Sequence, residues 1–236
     1  MLKELSLLLD GVSPDAPASH YRDAIVEDNI LGKPTRSTRL RTAEYLTALY
    51  ALDPTCALFR LLRFFWAKDQ EGRPMLAFLA ASGRDSLLRE FSDYVLAVPA
   101  GQVVSATEVS RTLGERYPSR FGSTTLHAIA QRLASSWTQV SYLQGKVIKR
   151  RSQPVVTPLV TSYALVVGYL TGRRGKLLLE SEWARLLDRT PAEVLELAIE
   201  ASKQGWLRLK AAGSVVEITF PGILKPAEER LANEPN

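Results

Sequence analysis

Apolar side chains recur every three or four residues through the first 98 positions, with few β-branched runs between them, and this spacing predicts helices. Leu2–Leu9 makes one short helix, and Asp15–Pro17 breaks the chain. Ser19 offers a cap for a second helix carrying Tyr21, Ile25 and Val26, closed by "LGKP" at Leu31–Pro34. A third runs from about Thr35 to Leu52 and stops at Asp53-Pro54. Thr55–Lys68 and Pro74–Val98 follow, the latter with an interruption near Gly83. Such a series packs as a helical bundle.

From Val104 the pattern changes. Ser105 caps "ATEVSRTLGERY", with Glu108 at the capping-box position, and "PSRFG" turns the chain into "GSTTLHAIAQRLASS". "YLQGKVIKRR" then alternates around Gln144-Gly145 as a hairpin does. Helix, turn, helix and two-stranded hairpin is the order of a winged helix-turn-helix. A similar order recurs: a helix from Thr157-Pro158 to Leu170, "EWARLL" capped by Ser181, a helix capped by Thr190 with Glu193, and the hairpin "WLRLKAAGSVVEITF". The expected fold is therefore mainly α. A helical bundle covers 1–103, a winged helix-turn-helix 104–156, a second winged-helix-like unit 157–225 and a frayed polar tail 226–236.

At 100° per residue, Leu126, Ile129, Ala130, Leu133 and Trp137 share one side of the 122–138 helix. Thr124, Ala128, Gln131 and Ser135 point the other way, flanked by His127 and Arg132, with no carboxylate among them. A face of small and polar tips suits the major groove, where base edges accept hydrogen bonds and helix N-terminal amides meet phosphate.

Charge sharpens this reading. Residues 105–153 hold eight Lys/Arg against two acids, a net of +6, while everything else sums to −1 within a total of +5. The expected partner is double-stranded DNA. The expected contacts are Arg120, Ser123, Thr124, Thr125, His127, Gln131, Arg132 and Ser135 on the turn and helix, and Lys146, Lys149, Arg150 and Arg151 on the wing. In the second unit the equivalent helix exposes Glu193, Glu196 and Glu200 against Lys203, which repels phosphate and points instead to packing or protein contact. Lys33, Arg36, Arg39 and Arg41 form a secondary basic patch, with Asp23, Glu27 and Asp28 just upstream as alternative partners.

Chemistry finds little footing. The chain has two histidines: His20 lies beside Asp23 and Glu27 as on a solvated helix face, and His127 lies on the groove face. Cys56 sits among Ala57, Leu58 and Phe59 as a small core residue. "GRRGK" at Gly172–Lys176 lacks phosphate-loop spacing. The expectation is a protein with no catalytic residues, metal or cofactor. A single cysteine fits a reducing compartment. The N-terminus lacks a signal cleavage site, and "YALVVGYL" falls far short of the roughly 20 residues needed to span a bilayer. A cytoplasmic protein is expected, with no membrane contact.

The segment "YRDAIVEDNILGKPTRSTRLRTAEYLTALYALDP" (Tyr21–Pro54) resembles the N-terminal region of the BrxA family of BREX (bacteriophage exclusion) defence clusters. "LLREFSDYVLAVPAG" (Leu87–Gly101) with the unit after it, and the C-terminal "WARLLDRTPAEVLELAIEASKQGWLRLKAAGSVVEITFP", are similar to later blocks of that family. The resemblance implies a NusB-like N-terminal bundle, a winged-helix portion, DNA binding, and a role in phage restriction beside other BREX proteins. A protein-interaction scaffold without direct DNA contact is the alternative. RNA binding through the bundle rests on fold analogy alone.

Overall fold

The computed structural model describes residues 1–213 and 215–233. Ser214, inside the expected second hairpin, and 234–236, at the end of the expected tail, lie outside the described residues. The elements run α1 (Leu2–Gly11), α2 (Ala18–Val26), α3 (Arg36–Tyr50), α4 (Ala57–Trp66), α5 (Arg73–Ser82), α6 (Ser86–Ala97), α7 (Ala106–Arg116) and α8 (Ser123–Gln139). The hairpin β1 (Leu143–Gln144) and β2 (Arg150–Arg151) comes next, then α9 (Pro158–Leu170), α10 (Lys176–Leu179), α11 (Glu182–Arg185) and α12 (Pro191–Lys203). The hairpin β3 (Arg208–Ala212) and β4 (Val215–Thr219) and helix α13 (Pro226–Asn233) complete the order. The protein is mainly helical with two small antiparallel hairpins.

Local chemistry sets most boundaries. Thr35, Ser105, Thr157, Ser181 and Thr190 each accept a backbone N–H of the helix they precede, and Ser105/Glu108 and Thr190/Glu193 complete reciprocal capping boxes. Ser19 does not cap α2: the helix starts one residue earlier, behind Pro17, which leaves Ser19 inside the first turn. Ala51 and Leu52 turn left-handed after α3, ahead of Asp53-Pro54. Gly83 ends α5, so the 74–98 stretch is two helices.

The chain divides into two compact units with boundaries different from those expected. One joins residues 1–85 to 156–236, and the other is Ser86–Val155. The reason for the first grouping lies in α9, whose residues Leu159 to Tyr169 are all buried. A helix apolar on every side has no solvent face and must be surrounded. It packs against α4, α5, α11, α12 and α13. Tyr163 stacks edge-on to Phe65 with centroids 5.7 Å apart, and its hydroxyl donates to the Leu58 carbonyl at 3.2 Å. Residues 157–225 thus share one core with the N-terminal helices. Within the expected tail, Pro226–Asn233 forms a helix. Glu228 takes both an Arg60 Nη2 hydrogen bond at 2.5 Å and the Lys225 backbone N–H at 2.7 Å, beside the buried Ile223 and Leu224.

In Ser86–Val155, α6 joins α7 and α8 instead of the N-terminal helices. Its Phe91 and Tyr94 form a stacked cluster with Trp137 of α8, with ring centroids 5.3 to 6.2 Å apart. Each such pair adds about 0.5–1.5 kcal/mol beyond area burial. Leu143 pairs with Arg151 and Gln144 with Arg150. On the other side of β2, Val104 N–H donates to the Lys149 carbonyl at 2.9 Å, Arg151 N–H to Gln102 at 2.8 Å, and Gly101 N–H to Arg151 at 2.8 Å. Residues 101–104 therefore lie along β2 as a third edge, bridged at Val103 and Arg150, giving the order helix, edge segment, helix, helix, hairpin.

Candidate nucleic-acid interface

The turn into α8 is held from below. Tyr117 donates its hydroxyl to Glu90 Oε2 at 2.8 Å, and Arg116 Nη1 reaches the Glu90 carbonyl at 3.0 Å. Arg120 is exposed and lies over the Tyr117 and Phe121 rings at 5.3 and 5.1 Å, so its guanidinium is positioned without a carboxylate partner among the described residues. Gly122 precedes α8 with no side-chain cap, which leaves the first-turn amides unclaimed by any side chain beneath exposed Ser123, Thr124 and Thr125.

Along α8 the two faces separate as the spacing predicts. Ala130, Leu133 and Trp137 are buried, and Leu126 and Ile129 are half-buried. His127, Gln131, Arg132 and Ser135 are exposed. Gln131 Nε2 and His127 Nε2 lie 3.0 Å apart, and Gln139 Nε2 donates to Ser135 Oγ at 3.3 Å, so the polar stripe is partly ordered by its own hydrogen bonds. Ala128, only half-exposed and without polar atoms, leaves the stripe a low point.

The hairpin needs one correction. Lys146 and Arg150 are exposed and Lys149 is half-exposed, but Arg151 is only 6% exposed. Its guanidinium donates to the carbonyls of Val95, at 2.8 Å, and of Ser152 and Tyr142, and it lies 5.5 Å from the Tyr142 ring centre. Strand alternation is the cause: of two successive residues in β2 one faces out and one in, and Arg151 faces in. It binds the end of α6 to the hairpin and is withdrawn from the candidate surface.

Electrostatics follow the unit boundary. Ser86–Val155 carries nine Lys/Arg against four Asp/Glu, while the remaining 166 residues hold 21 of each. The whole excess of +5 resides in that unit. All four acids precede α8, at Glu90, Asp93, Glu108 and Glu115, and Arg116–Val155 contains none. Glu108 is engaged in its capping box and Glu115 accepts from Arg111 at 2.6 Å. Among the described residues Arg132, Lys146 and Lys149 make no ion pair.

No family model, curated protein or solved structure matches this chain. What the surface can do follows from its own chemistry. It combines an acid-free helix face, an uncapped helix start and dispersed cations, a composition that meets a polyanion.

The secondary basic patch belongs to the other unit, and two of its four cations are ion-paired. Lys33 Nζ pairs with Glu4 Oε1 at 2.9 Å, a partner 29 residues away that local sequence did not suggest. Arg36 forms a two-pronged contact with Glu27 at 2.9 and 3.0 Å, which draws the Glu27 carboxyl below its ordinary range. Arg39 is half-buried, and Arg41 is exposed. His20 is exposed, Cys56 is half-buried at the start of α4, and among the described residues no three His, Cys, Asp or Glu side chains converge as metal ligands. No described helix is long and apolar enough to cross a membrane.

Proposed function

We propose that the Ser86–Val155 unit is a winged helix-turn-helix that binds duplex DNA, with α8 as the groove helix and β1–β2 as the wing. The order of α6, the 101–104 edge, α7, α8 and the hairpin supports that architecture. One observation carries the partner: the whole charge excess lies in this unit, and the 40 residues that include α8 and the hairpin hold no carboxylate. Thr124, Thr125, Gln131 and Arg132 are the side chains suited to base edges. Arg120, Lys146, Lys149 and Arg150 are suited to phosphates. The protein acts without catalysis, as a binding component.

The resemblance of the Tyr21–Pro54 and C-terminal blocks to the BrxA family extends this reading to a BREX defence complex with a NusB-like bundle. That setting rests on the resemblance alone. Fluorescence anisotropy with a labelled duplex at two salt concentrations tests the DNA reading. Strong binding that weakens steeply with salt is expected. Absence of duplex affinity at low salt returns the basic unit to the scaffold reading, as a contact for an acidic protein.

A further inference from the structure

The loop between β1 and β2 presents an apolar tip for which the fold has no use. Val147 is 95% exposed, the highest value for any large apolar side chain among the described residues, and the adjacent Ile148 is 58% exposed. Gly145 has φ +106°, and a Cβ there would lie 2.1 Å from the Ile148 carbonyl oxygen. Only glycine permits this closure, so the loop is folded back tightly and holds its next residues outward. Lys146 precedes the apolar pair and Lys149 and Arg150 follow it, with Arg150 Nη1 anchored on the Gly101 carbonyl at 3.0 Å.

Two β-branched side chains in water, bracketed by cations, describe a surface that seeks an apolar slot between anionic walls. The minor groove of duplex DNA has that form: phosphates line both rims, and stacked bases open to bulky apolar side chains at a kinked step. Membrane-surface anchors favour Trp and Tyr, and the loop has neither. Resting on the DNA-binding reading above, we infer that Val147 and Ile148 act as a wedge that enters the minor groove, opens a base step and bends the duplex. Pyrimidine–purine steps, which unstack most readily, are the preferred points of entry.

The test uses the full chain and a duplex of about two helical turns with a fluorophore pair at its ends and 2-aminopurine beside a central thymine–adenine step. Saturation with the wild type raises energy transfer and 2-aminopurine emission. V147T/I148T keeps the β-branched shape and removes the apolarity. It retains duplex affinity within about tenfold and the same salt slope, while both optical changes disappear. A wild type that saturates the duplex and leaves it straight overturns the wedge but spares the DNA-binding reading, as does equal bending by the variant. Failure of the wild type to bind any duplex removes both. Sedimentation with phosphatidylserine vesicles that V147T/I148T abolishes, without DNA bending, overturns the wedge in favour of a bilayer.

Discussion

Replacing Arg132, Lys146 and Lys149 together with Ala isolates the electrostatic part of the proposed DNA interface. None of the three makes an ion pair among the described residues, so the fold loses little; surface changes of this kind usually stay within about 0.5 kcal/mol each. If each meets one phosphate, the slope of log affinity against log salt becomes shallower by about 0.9 per residue, or about 2.7 in all. Between about 50 and 200 mM salt the wild type then weakens roughly 40-fold more than the variant. Anisotropy titrations at four or five salt concentrations read this slope directly, with Arg36→Ala as a control whose slope stays at the wild-type value, since Arg36 is already paired with Glu27. A triple variant with an unaltered slope would refute the placement of these cations on phosphate, whatever its absolute affinity.

Arg151→Ala acts on stability, because it removes a buried charged donor shared by the carbonyls of Val95, Tyr142 and Ser152, of which Val95 and Tyr142 keep the backbone N–H groups of Val98 and Ser152; a loss of about 1.5–3 kcal/mol is expected in thermal denaturation. Unchanged melting with weakened DNA binding would put Arg151 back on the surface. Trp137→Ala empties the centre of the Phe91–Tyr94–Trp137 cluster and costs about 3–5 kcal/mol, seen as a lower denaturant midpoint and a reduced near-ultraviolet dichroism band. At Glu4, burial favours the neutral form, but the Lys33 hydrogen bond and the N-terminal amine outweigh it, so its carboxyl ionises below the ordinary value of 4.5. With the folded-state pKa depressed, its contribution is complete above the unfolded value and lost as pH falls through the folded one. Lys33→Met flattens the acid limb of a stability-versus-pH curve, and an unchanged limb would count against the pairing.

Much of this architecture is legible in short stretches of sequence, where the physics is local. Ser105 with Glu108 and Thr190 with Glu193 announce helix starts because each box is closed within four residues. The two faces of α8 are legible because helical period alone sorts Leu133 and Trp137 from Gln131 and Ser135. The β1–β2 hairpin misled through charge: three successive basic residues at 149–151 look uniformly solvated, yet a strand cannot point neighbours the same way. Applying the two-residue period there would have singled out one inward arginine, though not which. Affiliation of α6 depended on its rings meeting Trp137 more than 40 residues later, which no window on the sequence displays. By contrast α9 did carry a signal. An apolar run without a polar side requires neighbours all round, and that argued against an independent unit over 157–225.

Because residues 86–155 interrupt the unit formed by 1–85 and 156–236, the order of synthesis differs from the order of completion. On the ribosome the first five helices emerge long before α9, around which α4 and α5 are packed. At typical elongation rates the rest of the chain takes about 8–30 s to follow. During that interval the inserted segment has all of its own partners and can finish, while the parts of α4 and α5 that pack on α9 await it. The nascent protein thus passes through a stage in which its basic middle portion is complete and its opening portion still offers apolar surface to chaperones.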